Sequence, residues 1–293
     1  AMLKTKRGEK VWLITHPAHA ELAGQMAAHW GNEEFAAPGH FAISADPERL
    51  RREVALAVAE HDNGWWEWEA DPPLSAEDGL PQGLGEVLES PVAGMERWRL
   101  GIPRLAERHP YASLLIGDHA YWLYASQFNP DSPSEFTHML QLGRALYPNE
   151  LEKEARRFLA DVQQMQEEFR RRLEEEGFWK ASLEPEHRNP HARLLQTLDA
   201  LSLALCSCVI TPVEGEAKGL GEDRVVFAEV PRRSWEDRVS LEIEPLGDGR
   251  IMIDQYPFDE SPLTVTVPAR EIEPHTSQHQ APWILKQFTF LHK

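Results

Sequence analysis

Apolar positions recur with a helical period over the first two-thirds of the chain and with a period of two over most of the rest. His19, Leu22, Ala23, Met26 and Trp30 form one stripe of a helix that begins after Pro17 and ends at Gly31. A second helix starts at Ser44 to Pro47, with Asp46 as its expected N-cap and Pro47 at the first helical position. Val54, Val58, His61 and Asp62 share its inner face. Ala112, Leu115, Ile116, His119, Trp122 and Leu123 define a third inner stripe. Residues 151–177 give the most amphipathic helix, with Ala155, Phe158, Val162, Phe169 and Leu173 on one side and dense charge on the other. A last helix through Leu194, Leu198, Asp199, Ser202 and Cys206 is apolar almost all round, which predicts a central position. The stretch 71–94, rich in Pro, Gly and acidic residues, reads as a long loop or lid.

After Thr211 the alternation predicts short strands at 225–230, 239–244, 251–255 and 263–267. Gly247-Asp248-Gly249 between the second and third is a hairpin turn, because glycine accepts the positive φ such turns require. Residues 10–15 are a weaker strand candidate. The expected fold is a single domain over 1–293, mainly α. It comprises a helical bundle at 16–210 and a small C-terminal antiparallel sheet at 220–270 packed on it. An isolated small sheet would be marginal in water, so it needs the bundle.

Charge narrows the function. The 293 residues carry a formal charge of −18, which argues against electrostatic binding of nucleic acid or an anionic membrane. The apolar run at 200–213 is shorter than the roughly 20 residues that span a bilayer. Residues 11–14 are too short for a signal-peptide core, so a cytoplasmic location is expected. Cys206 and Cys208 stand two apart, a spacing that suits neither a zinc pair nor a disulfide scaffold.

Five polar residues sit where helices should be apolar: His19, His61, Asp62, His119 and Asp199. Each alone has a plain structural explanation, as a hydrogen-bonded core histidine or a capping aspartate. Together, on four helices of one bundle, they match the way facing helices assemble a metal site from inward His and carboxylate side chains. Such a mixed N/O set suits Fe, Mn, Co, Ni or Zn, as one ion or two. His109, His138, His187 and His191 compete for a further ligand position. Asn63 and Asp118 are candidates to orient His61 and His119. His16 is a weaker one, since a proline follows it. Trp65, Trp66 and Trp68 could wall a ring-shaped substrate or plug the end of a buried helix. Arg193, Arg104 and Arg108 are the cations nearest in sequence for a phosphate. Ser202 and Ser207 lack a nucleophile-elbow context, and 79–85 is neither a P-loop nor a dinucleotide fingerprint.

The order His19, His61-Asp62-Asn63-Gly64, His119, Asp199 resembles the H…HD…H…D series of the HD-domain metal-dependent phosphohydrolases. More closely, Ile14-Thr15-His16-Pro17-Ala18-His19, His61-Asp62-Asn63-Gly64-Trp65 and Asp254-Gln255-Tyr256-Pro257-Phe258 resemble the domain of unknown function 3891 family over nearly the whole chain. The wider resemblance implies a metal held by His19, His61, Asp62, His119 and Asp199, with Asp62 also catalytic. The substrate would be a small phosphorylated metabolite or nucleotide, contacted by Arg193, Trp65 and Trp66. Two competitors stand beside hydrolysis: a di-iron oxygenase of the inositol oxygenase kind, and a non-enzymatic module that senses a ligand or binds a partner. The oligomeric state is left open.

Overall fold

Thr15 ends a strand and starts a helix. Its backbone closes β2 (Lys10–Thr15), and its side chain accepts the Ala18 N–H at 3.2 Å, capping α1 (His16–Ala28). The protein is described by a computed structural model, which covers residues 2–88, 91–128, 136–138, 149–277 and 281–293. α2 (Pro47–Ala59) begins as its sequence predicts, with Asp46 accepting the Arg49 N–H at 2.9 Å and Pro47 in the first turn. It stops one residue short of Glu60, so His61 and Asp62 lie just past the helix end rather than on its face. A 3₁₀ turn (Asn63–Trp65) and the short α3 (Trp66–Ala70) follow. The stretch expected as a lid is partly ordered. Leu74 bridges to Pro81, and it holds α4 (Leu84–Leu88) and the start of α5 (Pro91–Gly101). α6 (Pro110–Phe128), α7 (Asn149–Glu175) and α8 (Pro185–Cys206) complete the helices that carry or support the site.

The expectation of a helical bundle with a small appended antiparallel sheet is wrong. The fold is α+β, with one seven-stranded mixed sheet in the order β1-β2-β6-β7-β5-β4-β3. It takes in β1 (Met2–Arg7) and β2 from the N-terminus, then β3 (Val225–Pro231), β4 (Arg238–Gly247), β5 (Arg250–Asp254), β6 (Leu263–Ile272) and β7 (Ile284–His292). β5 and β7 run parallel, and every other pair is antiparallel. The sheet therefore extends beyond 220–270 at both ends. β7 lies between β6 and β5, so without it the sheet would fall into two pieces. The Gly247-Asp248-Gly249 turn forms as expected, with φ of 86°, 53° and 74°.

Sheet and helices share one core rather than two packed units. Leu3, Leu22, Trp30, Leu195, Phe227 and Phe288 belong to a single buried cluster. α1 packs on β6 and on α8, and α8 packs on β3. Cys206 is buried within α8 and Cys208 is exposed. Among the described residues, no helix is long and apolar enough to cross a membrane.

Candidate metal centre

Two glycines set the geometry of this region. A Cβ on Gly24 of α1 would collide with Ala59, the last residue of α2, so glycine lets the two helices approach closely just before His61. A Cβ on Gly64 would land on the Arg97 carbonyl of α5, so the turn after Asp62 presses directly against that helix. The start of α1 is held from the other side, where Glu69 Oε1 accepts the His16 N–H at 3.2 Å. Burial pushes the Glu69 carboxyl up to about 7.

The result is a convergence of six side chains: His19 from α1, His61 and Asp62 after α2, His119 from α6, Asp199 from α8, and His138. None is more than 7% exposed. His19 Nε2 lies 2.8 Å from Asp62 Oδ2. His61 Nε2 lies 3.3 Å from Asp199 Oδ1 and 3.7 Å from Asp62 Oδ2. His119 Nε2 and His138 Nε2 approach Asp199 Oδ2 at 3.2 and 2.9 Å. Three triplets have ligand atoms mutually within 4.8 Å: His16, His19 and Asp62; His19, His61 and Asp199; and His119, His138 and Asp199. Two of them share Asp199.

The hydrogen bonds around the rings decide what faces the carboxylates. His61 Nδ1 donates to the Val58 carbonyl at 2.7 Å, so in the neutral ring Nε2 carries a lone pair. That nitrogen has no aligned hydrogen-bond partner and points at two carboxylates. Ser202 repeats the arrangement at His19. Its hydroxyl donates to the Asp199 carbonyl at 2.8 Å, and so can only accept from His19 Nδ1, also at 2.8 Å. His19 Nε2 faces Asp62 Oδ2 at hydrogen-bond distance, 2.8 Å. Lone pairs aimed at buried carboxylates are stable only with positive charge between them. Without a metal, a proton fills this role at His61. Burial disfavours its charged ring, but Asp62 and Asp199 outweigh burial and push His61 up to about 9. Burial opposes ionisation of Asp62 and Asp199 too, and the surrounding histidines, His61 foremost, still hold both carboxyls well below their usual range. His119, by contrast, is pushed down by burial, and its Nδ1 has no hydrogen-bond partner.

A cavity of about 60 Å³ opens onto His19, Asp62, His119 and Asp199, room for roughly four or five waters. His16 and Trp65 line it, with Leu84, Val87, Trp98, Leu123 and Leu203 making its apolar wall. No Lys or Arg is among the described residues lining it.

The other residues singled out from the sequence fall as follows. Trp66 is 46% exposed beneath Arg104 and does not line the cavity. Arg104 pairs with Glu67. Arg193 does not face the cavity. Its guanidinium donates to the carbonyls of Thr137, Ala228 and Glu229, and Gln196 donates to that of Phe136, so together they tie α8 to β3 and to the segment carrying His138. Asp118 does not orient His119, because Gln166 and Arg188 occupy its oxygens. The Asn63 side chain is buried with no hydrogen-bond partner. Of the four competing histidines His138 reaches the centre, whereas His109 pairs with Glu53 and His191 bonds Gly39 and Tyr111. Sequence reasoning missed His16 as a cavity residue and Ser202 as the partner of His19. The signals were spacing: His16 stands one turn before His19, and Ser202 one turn after Asp199.

Fold and site together define an α+β protein with a buried His/Asp centre that could hold a metal ion. The chain belongs to the family described as protein of unknown function (DUF3891), whose model matches residues 2–274. No curated protein and no solved structure matches it.

Proposed function

We propose that the protein is a metal-dependent hydrolase of the HD type acting on a small phosphoester. The observation that carries this reading is the convergence of His19 Nε2 and His61 Nε2 on Asp62 and Asp199, with the other nitrogen of each ring hydrogen-bonded to Ser202 or to the Val58 carbonyl. Histidines whose other ring nitrogen is bound to a backbone carbonyl or hydroxyl are arranged as metal ligands. His19, His61, Asp62 and Asp199 would hold one divalent transition ion, and His119 and His138 beside Asp199 would hold a second. When bound, such an ion lowers the pKa of water enough to supply hydroxide near neutral pH and offsets charge on phosphoryl oxygens.

The chain's own contribution is positioning and exclusion of water. Trp65, Trp98, Leu84 and Val87 would receive the apolar part of a substrate and keep the cavity dry. With no Lys or Arg among the described lining residues, attraction for an anionic group would come from the ion, which favours substrates of low charge. This same feature supports a second reading, a di-iron oxygenase acting on an uncharged polyol, because Asp199 is shared by two potential ligand sets.

Turnover of nitrophenyl phosphates with added Mn²⁺ or Ni²⁺ tests the proposal. Slow hydrolysis, lost on chelation and in Asp62→Ala, is the expected result. Bound metal without cleavage of any monoester, diester or nucleotide would overturn hydrolysis, and oxygen uptake with polyols by the iron-loaded protein would then support the second reading.

A further inference from the structure

Asp118 immediately precedes His119 on α6 but faces a different cavity. This second cavity, about 280 Å³, lies among α6, α7 and α8. Its polar side holds Asp118, Gln166, Arg188 and Arg170. Arg188, whose side chain is 14% exposed, binds both oxygens of Asp118, and Gln166 Nε2 donates to the same carboxylate at 2.7 Å. Asp118 is therefore fully engaged and neutralises one arginine only. Arg170, exposed at the cavity's rim, makes no hydrogen bond or ion pair with any described residue. Burial and the charge of Arg188 both press against its protonated form, while Asp118, Glu167 and Glu174 support it. Among the described residues that line the cavity, two guanidiniums meet one carboxylate, with Glu167 and Glu174 near Arg170 outside the lining.

The other side of the cavity is aromatic. Trp122 stacks on Phe136 with centroids 4.8 Å apart and planes 6° apart, and Tyr121 meets Trp122 edge-on at 5.1 Å. Gln163 and Asn189 add amide groups to the lining, the Gln163 amide donating to the Tyr121 hydroxyl at 3.5 Å. A planar ring suits such a wall, and a carboxylate suits the fork of a single uncommitted guanidinium.

We propose that this cavity is a binding site for a small aromatic monocarboxylate, its carboxylate on Arg170 and its ring against Trp122, which Phe136, itself stacked on Trp235, backs from behind. One negative charge balances the cavity, whereas a phosphate dianion would overshoot it. The size suits a single ring with short substituents. This site is independent of the metal reading, since no described residue lines both cavities.

Calorimetric titration of the full-length protein with benzoate, benzamide and inorganic phosphate tests the proposal. Benzoate should bind with a Kd of about 0.1–1 mM. It should bind at least about tenfold more tightly than the neutral benzamide and than phosphate, and Arg170→Gln should lose about tenfold in benzoate affinity. Arg170 is exposed, so this variant is expected to fold; Arg188→Ala would strand Asp118 and is the poorer test. Benzoate binding should persist in protein treated with chelator, which separates it from an anion captured by a metal at the His/Asp centre. Equal affinity for benzoate and benzamide, tighter binding of phosphate, unchanged affinity in Arg170→Gln, or loss of binding on chelation would each overturn it.

Discussion

Asp118 and His119 are sequence neighbours on one helix, yet they belong to buried polar clusters of opposite character. Around Asp118, every acceptor has a donor: Arg188 and Gln166 satisfy both oxygens, and one guanidinium, on Arg170, is left over. Around His119 the imbalance is reversed, with two carboxylates and the ring nitrogens of four histidines crowded together. The first cluster is complete as a structural ion pair and its remainder is cationic. The second is incomplete until a positive charge enters. Burial alone therefore does not mark a functional site; the sign of the unmatched charge shows what a site would take.

The sharpest way to break this contrast is at Asp199, the carboxylate that His19, His61, His119 and His138 all approach. Asp199→Asn should reduce bound metal to background and abolish any hydrolysis. Removing one partner of such a buried cluster should also destabilise the metal-free fold, by about 3–5 kcal/mol on urea denaturation. Retained metal in this variant would contradict the geometry of the centre.

Gly64→Ala tests the support rather than the ligands. The added methyl must push the turn after Asp62 away from the Arg97 carbonyl. A stability loss of about 1–3 kcal/mol is expected, with weaker metal binding as His61 and Asp62 shift. Full stability and full metal affinity would show that the turn tolerates the displacement.

Ser202→Ala is more selective. The Asp199 carbonyl and His19 Nδ1 both lose a partner, so metal affinity measured by competition with a chelator should fall about 10–100-fold. Stability should change by only about 1 kcal/mol. An unchanged affinity would mean that Ser202 does not fix the tautomer of His19.

pH separates the clusters further. His61 has a folded-state value of about 9 against an ordinary 6.5, so its contribution to stability is complete below about 6.5 and is lost as pH rises through 9. Asp62 and Asp199, held low, contribute above about 3.8 and lose that contribution as pH falls. The metal-free protein should therefore lose stability between pH 6.5 and 9. The metal-loaded protein should not, because the metal has already displaced the proton. Metal affinity should accordingly fall by about tenfold for each pH unit below 9. Parallel thermal melts of both forms across this range would reveal the difference, and identical slopes would contradict it.

The central His/Asp cluster was legible because a titratable residue on an apolar helical stripe is costly and therefore informative. His19, His61, Asp62, His119 and Asp199 stood out on that ground, and all five converge. His138 could not be chosen over His109, His187 and His191, since it lies outside the helices and shares a stripe with nothing. Arg193 was misplaced because sequence proximity to Asp199 says nothing of direction: it reaches away, to the backbone of β3. The sheet was underestimated because two of its strands, β1 and β7, are near the ends of the chain: β1 is announced only by the Gly8-Glu9 turn that leads into β2, and β7 has no such two-residue turn beside it. Strand pairing is non-local, and the parallel contact of β5 with β7 is visible only in three dimensions.

The account turns on positive charge entering the His/Asp centre, and elemental analysis of the protein purified without chelator measures that directly. At least about one equivalent of a divalent transition metal per chain is expected in the wild type, falling to background in Asp199→Asn. Wild-type protein that remains folded but holds no Fe, Mn, Co, Ni or Zn, even after incubation with each, would contradict it.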